Sequence, residues 1–272
     1  MYAGFITPKH SIKRLGIHQR LDVAAHRMVS HYLAPGSFPL VKQILNFEGQ
    51  NGPDGLKVKS PGAADPDHFY NPITDTGELP EHIKNHYDLL VEALSDRDMV
   101  RSGFEASWLA HYVVDGLTPA HHELLGEAIS EIQGGPAPLK GKLKYIASGK
   151  GSIKKNWAVW GGKGIISMHH NFELGIASVL VGRPIRTKLD AAKLAHARQV
   201  GYMAFFKEES KSVAQLDLYS QFKKSGWTAN MAASIKKEII PRAAQAVAII
   251  WLLAYLEAGF NQAKKVAVAT AV

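Results

Sequence analysis

Two pairs of residues in this 272-residue chain have the types and the spacing to grip a divalent ion. His111 and Asp115 are four apart in the run Trp108-Leu109-Ala110-His111-Tyr112-Val113-Val114-Asp115, and His169 and Glu173 repeat the step. On a helix that step stacks an imidazole and a carboxylate one turn apart on the same face. Gly116 and Pro119 close the first helix, and His121 follows on the turn, where it can face the same pocket. Phe104 and Trp108 make the surface beneath the first pair apolar. A carboxylate buried there needs a partner, and a metal ion would be one. An isolated His-x3-Asp reads first as a helical pair on a wet surface, with His121 a chance histidine. The second pair, on an apolar segment with Ile165, Ile166, Met168, Phe172 and Ile176, favours metal binding. A doubled histidine accompanies each pair, His121-His122 and His169-His170.

Three further residues are candidates. His18 falls on the inward face of a helical pattern with Leu21, Ala25 and Met28, as a hydrogen-bonded core residue or as a ligand. Asp54 and His68 lie in Pro53-Asp54-Gly55 and Asp67-His68-Phe69-Tyr70-Asn71-Pro72, as solvated turn formers or as ligands. The chain has no cysteine, so thiolate sites and disulfides are excluded and imidazole and carboxylate must supply any soft-metal site.

These residues must be positioned by helices. Leu15, His18, Leu21, Ala25, Met28, Val29 and Tyr32 recur at three- and four-residue steps, with Ser11 as the cap and Ala34-Pro35-Gly36 as the end. A short helix follows Pro39. Residues 49–80 are rich in Gly, Pro, Asp and Asn and read as a long functional loop. Helices are expected over 80–99, from Ser102 to just before Thr118-Pro119, and over 165–181, 189–206 and 228–260, the last broken or kinked at Pro241. No segment alternates like a strand and no repeat is present. The expected fold is all-α: a single multi-helix domain with long functional loops around a buried metal cluster.

The net charge of +8 favours anionic partners. Lysines concentrate in a Gly-rich segment, 134–164, with Trp157 and Trp160 among them. It could dock on an anionic membrane surface, track a nucleic-acid strand, or be a solvated loop. The stretch Ala243–Tyr255 is too short to span a bilayer and reads as a buried core helix. Residues 1–13 lack a basic region followed by an apolar one, so a cytoplasmic location is expected unless a leader is missing.

In order along the chain stand His18, Asp54, His68-Phe69-Tyr70, then His111, Asp115 and His121, then His169 and Glu173. The pattern resembles the zinc-dependent phospholipase C and single-strand nuclease superfamily, and the Asp54–His68 spacing resembles the bacterial phospholipase branch. The resemblance covers roughly residues 18–173. It implies two to three zinc ions: one held by Asp54, His68, His111 and Asp115; a second by Asp115 as a bridge and by His18; a third by His121, His169 and Glu173. It also implies that Asp54 can act as a general base. Two departures are visible. The family completes the second ion with an N-terminal tryptophan, whereas here no tryptophan precedes His18; a terminus near Phe5, water or His10 would have to serve. The gap from His121 to His169 is also long, so the Lys-rich segment reads as an insertion. The resemblance implies hydrolysis of a phosphodiester by a zinc-activated water, with phospholipid favoured as substrate. The alternatives are a single-strand-directed nuclease and a non-catalytic zinc-binding helical protein.

Overall fold

The computed structural model describes residues 15–55, 68–125, 131–132, 157–159, 161–181 and 183–260. Ten α-helices account for most of them: α1 Ile17–Val29, α2 Val41–Leu45, α3 Leu79–Ser95, α4 Met99–Gly116, α5 Ile165–Val179, α6 Ala191–Val200, α7 Tyr202–Ala214, α8 Leu218–Ser225, α9 Ala229–Ser234 and α10 Ile240–Glu257. No strand occurs among the described residues; the nearest approach is one bridge between Asn71 and Thr76.

The core is built by α1, α3, α4 and α10, which pack on one another. α4 is the central member, because every residue from Ala106 to Gly116 is buried. The Asp98 side chain caps it, accepting from the backbone N–H groups of Val100 and Arg101, so the helix begins three residues before Ser102. α10 presents Val247, Trp251 and Tyr255 inward, and the Trp251 indole N–H donates to the Ala106 carbonyl at 3.0 Å. That bond fixes the height of α10 against α4 and satisfies the one polar atom of a fully buried indole.

The Ala243–Tyr255 run is therefore core, as its composition suggests. The longer helical stretch Ala229–Glu257 is apolar and long enough to cross a membrane, and 72% of its apolar window is buried inside the fold. Its break does not fall at Pro241 itself. Residues Ile235–Ile239 form a π-turn, and Pro241 follows in the first turn of α10, where its missing N–H has least cost. The helix expected over 189–206 is two helices: Gly201, at φ 87°, ends α6 and re-aims α7.

The long loop is ordered where it is described. A 3₁₀ turn, Gly49–Asn51, leads into a helical turn at 53–55. After His68, the Tyr70 N–H donates to the His121 carbonyl at 3.1 Å, which ties the loop to the 3₁₀ turn Pro119–His122 beyond α4. Gly77, at φ 122°, lets the chain pass Phe69, since a Cβ there would come 2.3 Å from the Phe69 carbonyl oxygen. Ser11, His10 and Phe5 lie outside the described residues, as do 134–156 and Trp160 of the Lys-rich segment.

Candidate metal centre

The first turn of α1 meets the last turns of α4, and the two ends of the long loop close over the junction. His18 comes from α1, His111 and Asp115 from α4, and His121 from the turn after it. Asp54 and His68 come from the loop, and His169 and Glu173 from α5. The C-terminal end of α4 carries partial negative charge, which favours a cation at this place.

All eight residues converge. Their ligand atoms fall into four overlapping groups: His18, His111 and Asp115; Asp54, His68 and His111; His68, Asp115 and His121; His121, His169 and Glu173. Within each group these atoms lie within 4.8 Å of one another. Asp115, 1% exposed, is at the centre. Its Oδ1 lies 3.3 Å from Nε2 of His18 and 3.4 Å from Nε2 of His121. Its Oδ2 accepts from Nδ1 of His68 at 2.6 Å and lies 3.2 Å from Nε2 of His111. Glu173 Oε1 lies 3.1 Å from Nε2 of His121 and 3.2 Å from Nε2 of His169. His111 Nε2 is 3.8 Å from Asp54 Oδ1.

The electrostatics follow from burial and these neighbours. Burial pushes the Asp115 carboxyl up, but His121, His111 and His18 hold it well below the usual carboxylate range. Burial likewise opposes ionisation of Glu173, and the neighbouring His121, His169 and His170 imidazoles reverse that. Burial pushes His111 down, and Glu48, Asp115 and Asp54 raise it well above the ordinary imidazole value. His121 is pushed down to about 4, chiefly by burial. The cluster is thus an anionic cage lined with imidazoles.

A divalent metal fits this donor set. His111 is fully buried, yet its Nε2 makes no hydrogen bond among the described residues, although it points at two carboxylates. An orphaned buried nitrogen is costly unless something else uses its lone pair. Imidazole and carboxylate together suit zinc and similar borderline ions.

The doubled histidines separate. His122 turns away from the cluster: its Nε2 lies 2.9 Å from the Gly116 carbonyl, beside the Ser210 hydroxyl. It serves the end of α4. The His170 side chain is 65% exposed and reaches only within 3.9 Å of Glu173. His121 and His169 are the members that enter the groups.

Two buried acids escape the sequence reading. Glu48, 0% exposed, accepts from Nδ1 of His111 at 2.8 Å and lies 3.8 Å from Nδ1 of His18. No periodic signal marks it, because it sits where α2 gives way to the loop. Asp22, 1% exposed, stands four residues after His18 on α1. Burial and the Glu48 charge hold its carboxyl well above the usual range. The same His-x3-acid step that marks the other pairs could have drawn attention to it.

Against known proteins, no family model matches the chain and no curated protein matches it in sequence. Solved structures do match. The alpha-toxin of Clostridium perfringens, from avian strain SWCP, superposes with a TM-score of 0.56 at 15% identity, over 90% of this chain and 64% of the toxin. The alpha-toxin of Clostridium absonum gives 0.54 at 14% identity, over 94% of this chain and 66% of that one.

The fold is that of the clostridial alpha-toxins.

The chain spans just under two thirds of either toxin, 64% and 66%. The likeness is all-helical and agrees with the fold class expected from periodicity.

Proposed function

We propose that this protein is a zinc-dependent phosphodiesterase of the phospholipase C type, acting on phospholipid through the cluster around Asp115. The observation that carries the reading is the convergence of eight imidazole and carboxylate residues from α1, α4, α5 and two loops into overlapping groups with Asp115 at their centre. A structural metal site needs four ligands and closes around one ion. Eight donors with shared members suit several neighbouring ions, which suits phosphoryl chemistry. The alpha-toxin fold supports the same reading.

Asp54, His68, His111 and Asp115 would hold one zinc, Asp115 and His18 a second, and His121, His169 and Glu173 a third. Bound zinc would supply Lewis acidity toward the phosphate oxygens and acidify a water toward neutral pH. The chain's own residues do the rest. Asp115 neutralises charge at the centre and holds four imidazoles in register. Glu173 aligns His121 with His169. Asp54, whose side chain is 40% exposed, is more open to solvent than its neighbours in the cluster. Burial raises its carboxyl, but His111, with His68 and His18, draws it below its ordinary value against the opposing Asp115 charge. As an ionised, partly exposed carboxylate beside the cluster, Asp54 would accept a proton from the attacking water. The Lys-rich segment 134–164, between ligands in the sequence, would through its charge attract an anionic lipid surface.

The test is metal analysis of protein purified without chelator, with hydrolysis assayed on phosphatidylcholine and on single-stranded DNA. Two to three zinc equivalents, loss of activity and of thermal stability on chelation, and turnover of the lipid are expected. Trace metal with no uptake of added zinc refutes the reading. Turnover of DNA alone selects a nuclease. Zinc without turnover of either leaves a metal-stapled helical protein.

A further inference from the structure

Glu48 is not one of the eight clustered residues, yet its carboxylate is completely buried against them. Its Oε1 accepts from Nδ1–H of His111 at 2.8 Å and lies 3.8 Å from Nδ1 of His18. The two rings are stacked, with centroids 4.1 Å apart and planes 13° from parallel. Their other nitrogens, both Nε2, lie 3.3 Å and 3.2 Å from the Asp115 oxygens. Two parallel imidazoles therefore span the gap between two carboxylates, Glu48 on one side and Asp115 on the other. We propose that Glu48 is a positioning residue that orients His18 and His111 together, and so couples two neighbouring ion sites to each other and to the loop that carries Asp54. The proposal rests on the metal-binding reading above.

A neutral imidazole binds a metal through one nitrogen and carries its proton on the other. A carboxylate at Nδ1 selects the Nδ1–H form, leaves the Nε2 lone pair facing the site, and stops rotation of the ring. Glu48 makes that bond to His111, and its same oxygen lies 3.8 Å from Nδ1 of His18, whose ring stacks on that of His111. A movement of that oxygen therefore reaches one ligand through a hydrogen bond and the other through charge and stacking.

Glu48 is itself held by the turn that follows it. The Gly49 N–H donates to its Oε2 at 2.6 Å, and Gly49 adopts φ 64°, where a side chain would be strained. Gly52 completes the wrap: a Cβ there would come 3.0 Å from Oε2 and 3.1 Å from the Glu48 Cα. The Asn51 and Gly52 N–H groups close the turn on the Glu48 and Gly49 carbonyls, at 3.4 and 3.2 Å. Pro53 and Asp54 follow without a break. The buried carboxylate thus anchors both the imidazoles and the start of the loop that delivers Asp54 to within 3.8 Å of His111 Nε2.

The test uses the full chain. Glu48→Gln keeps an acceptor oxygen and loses the charge; Glu48→Ala loses both. Each protein is stripped with chelator and titrated with zinc against a chromophoric competitor. In Glu48→Gln the sites that use His18 and His111 should weaken about 10- to 100-fold, the usual effect of removing such an outer partner. Glu48→Ala should weaken them further. The site of His121, His169 and Glu173 should keep its wild-type affinity in both, since Glu48 touches none of the three. Equal weakening of every site would mean a general loosening of the fold and would overturn the proposal, as would unchanged affinities. Should the Ala variant lack helical circular dichroism, the Gln variant decides. A wild-type protein that takes up no zinc refutes the metal reading instead, a separate and distinguishable failure.

Discussion

Asp115→Asn removes one charge and almost no volume from the centre of the cluster. Its two oxygens lie 3.3 and 3.4 Å from His18 and His121, and 2.6 and 3.2 Å from His68 and His111. At an effective dielectric of about 20, a unit negative charge about 3.2 Å from one positive charge, the Asp115–His111 separation, interacts by about 5 kcal/mol. The neutral amide escapes part of the cost of burying a carboxylate, which offsets some of that sum. Loss of a single key electrostatic group in an active site costs about 2.7–4 kcal/mol, or a hundred- to thousandfold in rate. We therefore expect hydrolysis of phosphatidylcholine and of bis-p-nitrophenyl phosphate to fall at least about a hundredfold. Zinc content after gel filtration should fall below that of the His169→Ala variant, because Asp115 serves two of the four groups and His169 only one. The assay pairs initial rates at saturating zinc with metal analysis of the same sample. Near-normal turnover with full zinc content would refute the central role of this carboxylate.

The paired histidines offer a direct check of register: His169→Ala should lose zinc, whereas the exposed His170→Ala should retain it, and the reverse result would shift the assignment by one residue. The pair Trp157→Ala and Trp160→Ala should slow action on phospholipid vesicles and spare a small soluble phosphodiester, since Trp157 is 71% exposed and able to meet a surface; equal losses on both substrates would make these residues structural. His26 tests pH linkage away from the cluster. Burial against Phe38 lowers its pKa, and its Nε2 bonds the Pro39 carbonyl at 3.1 Å. A depressed imidazole pKa means the unfolded chain takes the proton first, so this contribution is complete above the unfolded value of about 6.5 and is lost as pH falls through the folded one. Urea unfolding of metal-free His26→Gln should show a shallower loss of stability than wild type below about pH 6.5; identical slopes would count against a depressed pKa for this half-buried imidazole.

The four-residue steps His111–Asp115 and His169–Glu173 were legible in the sequence because they depend only on helical rise, and both helices form. The apolar run Ala243–Tyr255 was legible as core because its composition leaves it little else to do in water. Choosing His121 over His122 needed the family spacing. In the structure the Gly116 carbonyl at the end of α4 takes His122 as its partner, while His121 lies in two of the candidate groups. Helix ends were read less well. Asp98 starts α4 earlier than the pattern implies, and Gly201 divides a run that periodicity alone joins. Both are single-residue effects of capping and of a backbone in a positive-φ region, which hydrophobic spacing does not register.

What the sequence determined by itself was local: which residues share a helical face, which chemistry a cysteine-free chain can offer a metal, and that helices would carry it. The tertiary structure alone decided that the first turn of α1 meets the last turns of α4, so that His18 stacks on His111 across 93 residues of chain. It also decided that Glu48 would lie buried behind both rings. Periodicity reaches one or two turns along the chain. The partners of a buried charge are chosen by whatever the packed core brings within about 3 Å of it, and only the folded chain holds that information.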